Sequence, residues 1–173
     1  MEFQFETLYD HEALTAMARA LRKMLRKRKS TIMRIFSLCV FAVGAYISTP
    51  LSGAEFQFTL RSILSYVALV LIFVTAVWED AINGFMAKKR LRSGTEEVSA
   101  SFNNDGYETK TEVECFNWNY ARINYIAETK FYFVLIFDQN HAQVFDKEEM
   151  TGGTEEEFRN FICEKTGKTM QRV

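Results

Sequence analysis

The sequence has few of the residues that build metal centres and disulfide frameworks. It contains three cysteines and two histidines among 173 residues, and no two cysteines stand in C-x-x-C spacing. A structural zinc site needs four nitrogen or sulfur ligands at short spacings, so this set predicts no metal site. An odd number of unclustered cysteines favours reduced thiols, which are typical of a cytoplasmic compartment.

Proline and glycine are also scarce, with one and eight copies respectively. This scarcity excludes low-complexity segments and long flexible linkers. Residues 1–28 are too charged for a cleavable signal peptide. Neither a Walker A sequence nor a G-x-G-x-x-G fingerprint is present, so no phosphate cradle of either kind is predicted.

A catalytic dyad is the remaining enzymatic alternative, with Cys115 or Cys163 as nucleophile and His141 as base. Nothing in the spacing supports it, because alternation places Cys115 on a buried strand face and His141 falls in a turn. The acidic residues Glu155–Glu157 are explained by a helix N-terminus rather than a cation site. The sequence therefore predicts no enzyme and no catalytic, cofactor-binding or metal-binding residues.

The charges are strongly segregated along the chain. Residues 1–30 and 31–93 each carry a net charge of +3, whereas residues 94–173 carry −7. Such a division is typical of a protein whose parts have different surroundings. The acidic C-terminal part is a poor candidate for nucleic acid, since neutralising phosphate requires clustered Lys and Arg.

Two long stretches contain no charged residue at all. Residues 35–54 and 62–78 are uncharged over twenty and seventeen positions, and helices of about this length span roughly 30 Å, one hydrocarbon core. Core helices of a soluble protein are the alternative, but Ser65, Tyr66 and Thr75 are spread around the second helix rather than gathered on one face. We predict a transmembrane hairpin at about 32–50 and 58–78, with the first helix stopping near Ser48.

The flanking charges orient this hairpin. Basic residues precede the first stretch and follow the second, so the positive-inside rule places both termini in the cytoplasm and Trp78 at the inner interface. Next to a membrane the same residues also attract anionic lipid, although they would fix topology without binding lipid. The candidate contacts are Arg22, Lys23, Arg26, Lys27, Arg28, Lys29, Lys88, Lys89 and Arg90.

The parts outside the hairpin have α and β patterns. Residues 2–8 alternate as a strand, which needs a sheet built elsewhere, and we expect it to join the C-terminal strands. Asp10 is a good N-cap for a basic amphipathic helix of about five turns. The apolar stripe of that helix comprises Leu14, Met17, Ala18, Leu21, Met24 and Leu25.

From residue 96 the pattern predicts a sheet closed by a helix. Residues 97–102 alternate, NNDG forms a turn in which Gly106 is able to adopt a positive φ, and 107–115 alternate as one strand. The apolar segment 131–137 is typical of a central strand covered on both faces. Thr154 then opens a capping box for a helix that lies on the sheet, with Gly167 as its stop.

This layout resembles the YcxB-like membrane proteins of bacteria. The motifs are F-x-x-x-G-Y at 102–107, W-x-Y-x-x-I-x-x-I-x-E-T at 118–129, FYFVLIF at 131–137, V-F-D-K at 144–147 and E-E-F-x-x-F-I at 156–162. The resemblance implies a small pleckstrin-homology-like (PH-like) domain, a bent antiparallel sheet closed by a C-terminal helix. It implies no catalytic residue and no ligand.

The sequence thus predicts an α+β membrane protein with a two-helix transmembrane hairpin and a small PH-like antiparallel sheet. Its three segments are 1–30, a strand and basic helix; 31–93, the hairpin with a cytoplasmic extension; and 94–173, the β-domain. We expect a membrane-anchored, non-catalytic binding or regulatory module in the bacterial cytoplasmic membrane. The expected partners are the bilayer and an unidentified protein, without nucleic acid. The alternative function is a small oligomeric transport or channel component.

Overall fold

The structure is a computed structural model, and it describes residues 2–48 and 59–173, with the side chains of Ser48 and Arg61 left out. The chain forms two compact units: residues up to Arg26 together with Asp80–Val173, called the mixed unit, and Lys27–Glu79, called the helical unit. The predicted segments 1–30 and 94–173 thus contribute to one unit. The helices are α1 His11–Leu25, α2 Lys27–Ser48, α3 Leu60–Val77, α4 Glu79–Arg90 and α5 Glu155–Thr166.

Two sheets frame the mixed unit. The strands are β1 Phe3–Leu8, β2 Glu97–Phe102, β3 Tyr107–Lys110, β4 Cys115–Trp118, β5 Tyr125–Glu128, β6 Tyr132–Ile136, β7 Ala142–Asp146, β8 Met150–Thr151 and β9 Met170–Arg172. The first sheet has the order β4-β3-β2-β1-β8 and the second has the order β7-β6-β5-β9. The single sheet that we predicted is therefore wrong, because β5, β6, β7 and β9 form a sheet of their own.

The N-terminal strand lies inside the first sheet, as predicted. β1 pairs antiparallel with β2 and with β8, and Phe5 stands opposite both Ala100 and Met150. Phe3, Phe5 and Thr7 are buried while the residues between them are exposed, which is the period-2 pattern of a sheet with one covered face. The first residues of the chain are thus part of the core.

The second sheet holds the predicted central strand. Every residue of β6 is buried, and β6 pairs antiparallel with β5 and β7. β9, in contrast, runs parallel to β5. Parallel strands need a crossover connection between them, and α5 is the helix of this crossover. The purely antiparallel arrangement that we predicted is therefore also wrong.

An aromatic core joins the sheets to α5. The Phe158 ring of α5 lies 4.7 Å from Phe5 and 4.9 Å from Phe133, measured between centroids. The capping box predicted at Thr154 is present, with its hydroxyl accepting from the Glu157 amide. The helix ends at Gly167, whose φ of 65° is left-handed, as glycine permits. These predictions are confirmed.

A second, smaller core lies under α1. Asp10 caps this helix by accepting a hydrogen bond from the Ala13 amide at 2.8 Å. Ala13, Ala16 and Ala20 are buried and belong to the same apolar cluster as Val134 of β6. The helix ends at Leu25, one turn earlier than predicted, and Arg26 is its C-cap.

Two local predictions for residues 103–115 are wrong. The alternating segment 107–115 is not one strand, because the Thr111 amide donates to the Glu114 carbonyl and the chain reverses into β4. This reversal places Cys115 on an edge strand, where it is exposed rather than buried. Among the described glycines, positive φ occurs elsewhere and not at Gly106. Glycine is needed at this position because a Cβ would lie 2.5 Å from the Trp118 carbonyl oxygen.

The helical unit consists of α2 and α3. The two helices touch where Gly44 meets the Leu69 side chain and where the rings of Phe41 and Phe73 lie 5.3 Å apart. α2 is long and apolar enough to cross a membrane. α3 reaches the length and hydropathy of a membrane span only when it is taken together with α4. Within the described residues, α2 is therefore one candidate membrane span near the N-terminus. The predicted helix ends near residues 50 and 58 lie outside the described residues.

Candidate anionic-lipid site

The nine candidate cations lie on three helices. Lys88, Lys89 and Arg90 form the last turn of α4, where positive charge complements the helix dipole. Lys27, Arg28 and Lys29 form the first turn of α2, which contains no acidic residue. Cations at a helix N-terminus oppose the dipole by a few tenths of a kcal/mol each. This second group therefore costs local stability, as residues kept for function or topology often do.

Arg22 forms a salt bridge with Asp80 of the same chain. Its Nε donates to Asp80 Oδ1 at 2.6 Å and its Nη2 donates to Asp80 Oδ2 at 2.7 Å. This two-pronged pair is mostly withdrawn from solvent, with side-chain exposures of 17% and 13%. A bidentate guanidinium–carboxylate pair fixes orientation as well as adding energy. Arg22 therefore joins α1 to α4 and is not available to lipid.

Arg26 is also engaged within the mixed unit. Its Nη2 donates to the Gln139 carbonyl at 2.5 Å and lies 3.3 Å from Asn140 Oδ1. Both acceptors belong to the turn between β6 and β7, so Arg26 ties the end of α1 to that turn. The structure thus gives two of the nine predicted contacts a partner in the protein.

The other seven candidates are exposed, and they are divided between the two units. Lys23, Lys88, Lys89 and Arg90 belong to the mixed unit, and Lys27–Lys29 belong to the helical unit. Each exposed cation near an anionic bilayer contributes about 1 kcal/mol of attraction. The structure therefore leaves as candidate contacts the C-terminal turn of α4 and Lys23 in the mixed unit, and the first turn of α2 in the helical unit.

α4 adds an apolar surface that we did not predict from the sequence. The side chains of Phe85 and Met86 are 60% and 42% exposed. At 3.6 residues per turn they share a face with Ile82, in the i, i+3, i+4 spacing of an amphipathic helix. The spacing I-x-x-F-M at 82–86, one residue before K-K-R at 88–90, was the signal in the sequence. The sequence pattern alone predicts this segment only as a cytoplasmic extension of the hairpin.

A second charge cluster lies inside the mixed unit. Glu128 accepts from Lys147 Nζ at 2.6 Å and from Arg159 Nη2 at 2.8 Å, and the Glu128 and Lys147 side chains are 7% and 6% exposed. The hydrogen bond from Arg159 is the main cause that lowers the pKa of Glu128 to about 2. The cluster links β5, the end of β7 and α5. Its charges are paired, so it is suited to fastening these elements together.

The groups considered for catalysis are poorly placed for it. The Cys115 thiol donates to Glu108 Oε1 at 3.1 Å, and this bond raises the pKa of the thiol, which opposes formation of the nucleophilic thiolate. His141 lies in an exposed turn beside Asp138. Within residues 2–48 and 59–173, no group of three or more His, Cys, Asp or Glu is placed to hold a metal ion.

Comparison with known proteins identifies one family. Residues 102–162 match the sequence profile of the YcxB-like protein family. No curated protein and no solved structure matches the chain. The matched region runs from the end of β2 into α5 and contains the Glu128 cluster and most of the aromatic core. The resemblance expected from the motifs is thus confirmed over these residues.

Proposed function

We propose that this chain, YcxB-like over residues 102–162, is a membrane-anchored, non-catalytic binding or regulatory module of the bacterial cytoplasmic membrane. In this proposal α2 and α3 form a two-helix hairpin that crosses the bilayer. The mixed unit, with both chain termini, lies in the cytoplasm and acts as a PH-like binding module.

The observation that carries the proposal is the apolar surface of the helical unit. Phe36 and Ile47 of α2 are 61% and 74% exposed, and Leu64 of α3 is 60% exposed. A contiguous apolar surface of this kind marks a membrane or protein contact, since monomeric proteins in water rarely expose one. Further exposed side chains of the two helices are Ile32, Met33, Ile35, Val43, Leu60, Val67, Val70 and Leu71.

The mixed unit supports a binding role rather than catalysis. Its partly buried Arg159 and its buried acid, Glu128, are bonded to each other at 2.8 Å and 3.0 Å. The pKa of the exposed Cys115 thiol is raised, and a nucleophile needs the opposite shift or a positioned base. Two sheets closed by α5 supply a rigid body whose surface and sheet edges are available to a partner.

Cysteine labelling tests the topology. In a chain whose native cysteines are replaced by serine, we would introduce Gly53→Cys or Asp105→Cys and add a membrane-impermeant maleimide to intact cells. We expect label at position 53 only, and label at position 105 after the membrane is opened. Labelling of both positions from the same side would contradict the hairpin.

Co-purification tests the binding role. The full chain would be solubilised from native membranes with mild detergent and used as bait beside a control bait of residues 27–79. We expect a specific protein to be recovered by the full chain and not by the control, because the mixed unit is the proposed binding part. Equal recovery by the two baits, or recovery by neither, would contradict this role.

A further inference from the structure

α4 exposes an apolar stripe framed by positive charge. Ile82, Phe85 and Met86 lie within about 100° of arc around the helix axis, at 100° per residue. Lys88 and Arg90 fall on the two sides of this arc, and Lys89 falls within it, one turn beyond Phe85. An apolar face bordered by cations is the pattern of helices that lie in the plane of a membrane surface.

Two contacts fix the direction of this stripe within the mixed unit. Gly84 is buried against α1, so closely that a Cβ there would lie 2.8 Å from the Thr15 amide nitrogen and 2.9 Å from its Cα. The Arg22–Asp80 pair fastens the first turn of α4 to the same helix. Gly84 lies roughly opposite the stripe around the helix. The packing therefore holds Phe85 and Met86 on the outside.

This helix follows the proposed span directly along the chain. α3 ends at Val77 and α4 begins at Glu79, so only Trp78 separates them. If α3 crosses the bilayer, one residue leaves no linker, and α4 begins at the membrane surface. Trp78 is half exposed, and an indole is favoured at that depth.

We infer that α4 lies along the membrane–water interface and binds anionic phospholipid. Phe85, Met86 and Ile82 insert among the upper acyl chains, and Lys88, Lys89 and Arg90 contact lipid phosphates. The mixed unit is thereby held against the cytoplasmic leaflet by a second attachment. This inference rests on the proposed function, because it requires α3 to cross the membrane.

Charge argues for anionic lipid as the occupant of this face. The last turn of α4 carries three consecutive cations and no acid. The same turn in a second copy of the chain would bring like charges together, which disfavours self-association through this face. A lipid leaflet supplies both the apolar layer and the negative charge that the face requires.

The test measures the depth of position 85 in the full chain. The protein, with its native cysteines replaced by serine, would carry Phe85→Cys labelled with bimane, in vesicles of phosphatidylcholine with or without phosphatidylglycerol. Glu112→Cys is the matched control, because residue 112 is an exposed polar position in the turn between β3 and β4. Quenching by nitroxide-labelled lipid and by aqueous iodide would be compared.

We expect lipid nitroxide to quench the label at 85 and iodide to quench the label at 112. Nitroxide on phosphatidylglycerol should quench position 85 several-fold more than nitroxide on phosphatidylcholine. This excess should disappear in the variant Lys88→Gln, Lys89→Gln, Arg90→Gln. Circular dichroism would verify that each labelled chain is folded.

Two outcomes would overturn the inference while leaving the anchor intact. The first is iodide quenching at 85 as strong as at 112, in protein that stays in the vesicles after an alkaline wash. The second is protection of 85 from both quenchers with cross-linking between chains through that position, which would assign the face to a second copy. Release of the whole protein by the alkaline wash would instead refute the proposed function.

Discussion

The mixed unit and the helical unit differ in whether their aromatic residues are buried or exposed. Phe158 of the mixed unit is fully buried, whereas Phe36 of the helical unit is 61% exposed. In water, burial of an aromatic ring stabilises the folded protein. The contrast shows that the mixed unit encloses its aromatic rings while the helical unit leaves apolar side chains uncovered, and our proposal of a membrane anchor depends on this difference.

The charges follow the same division. The mixed unit pairs buried or partly buried charges, as in Glu128 with Lys147 and Arg159. In the helical unit the described acidic side chain is Glu79, which accepts from Ser30 at 2.5 Å and from Arg34 at 3.2 Å. Glu79 and its partners lie near the ends of the helices. The middle parts of α2 and α3 therefore carry no charged residue, as a membrane span would require.

The largest predicted effect compares one substitution in the two units. Phe158→Ala should lower the free energy of unfolding of the mixed unit by about 3–5 kcal/mol, because it opens a cavity among four or more packed rings. Phe36→Ala should leave that free energy unchanged. Urea titration in detergent, followed by Trp118 fluorescence in a Trp78→Phe background, measures both. An equal loss in the two variants would contradict the division into units.

The second prediction removes the buried acid. Glu128→Gln should cost the mixed unit about 3 kcal/mol, because Lys147 and Arg159 then lose their shared anion. The matched control is Glu155→Gln, since Glu155 also pairs with Lys147 but its side chain is half exposed. The control should change stability little. The same urea titration measures both variants, and equal effects would show that burial does not matter here.

The pH dependence of stability follows from the same residue. The pKa of Glu128 is lowered from 4.5 to about 2 in the folded protein. A lowered folded pKa means that the charged form stabilises the fold. This contribution is complete above pH 4.5 and is lost as the pH falls towards 2. The stability difference between wild type and Glu128→Gln should therefore shrink over that range, and a constant difference would contradict the assignment.

The third prediction concerns close helix contacts in the two units. Gly84→Ala should destabilise the mixed unit by about 1–3 kcal/mol, because the new methyl group meets the Thr15 backbone. Gly44→Ala should have a much smaller effect. There the methyl group meets the flexible side chain of Leu69, most closely at Cδ2, and alanine adds about 1 kcal/mol of helix propensity. Thermal unfolding by circular dichroism compares them, and a larger loss for Gly44→Ala would contradict the geometry.

The smallest effect is expected at the surface of the mixed unit. Arg92 lies 3.7 Å from Glu114, and the two side chains are 79% and 43% exposed. Arg92→Ala should not change stability measurably, since solvent screens such a pair. Arg22→Ala is the comparison and should destabilise clearly, because it removes the partly buried pair with Asp80. A loss at Arg92 as large as at Arg22 would refute this ranking.

Much of the fold could be predicted from local patterns. The strand at the N-terminus, the buried strand β6 and the capping box of α5 each depend on neighbouring residues, and all three are confirmed. The break after Lys110 was missed because the hairpin turn Thr111–Glu114 contains neither glycine nor proline. The alternation of polar and apolar residues continues through this turn. The parallel strand β9 was missed because three residues carry no periodic signal.

The candidate site shows the same limit. The basic residues, the uncharged stretches and their order along the chain are properties of the sequence itself. They determine that positive charge flanks two apolar helices, because hydropathy and charge do not depend on folding. Whether a given cation is free is not determined in this way.

Only the tertiary structure decided which cations remain for a ligand. Arg22 is 58 residues from Asp80 in sequence, and Arg26 is 113 residues from Gln139. Pairs this far apart in sequence form only when α1 packs between α4 and the second sheet. No local sequence pattern predicts them. The same packing buries Gly84 and turns Phe85 outward. Each of these facts depends on which side of a helix meets a neighbour, a property of the assembled fold.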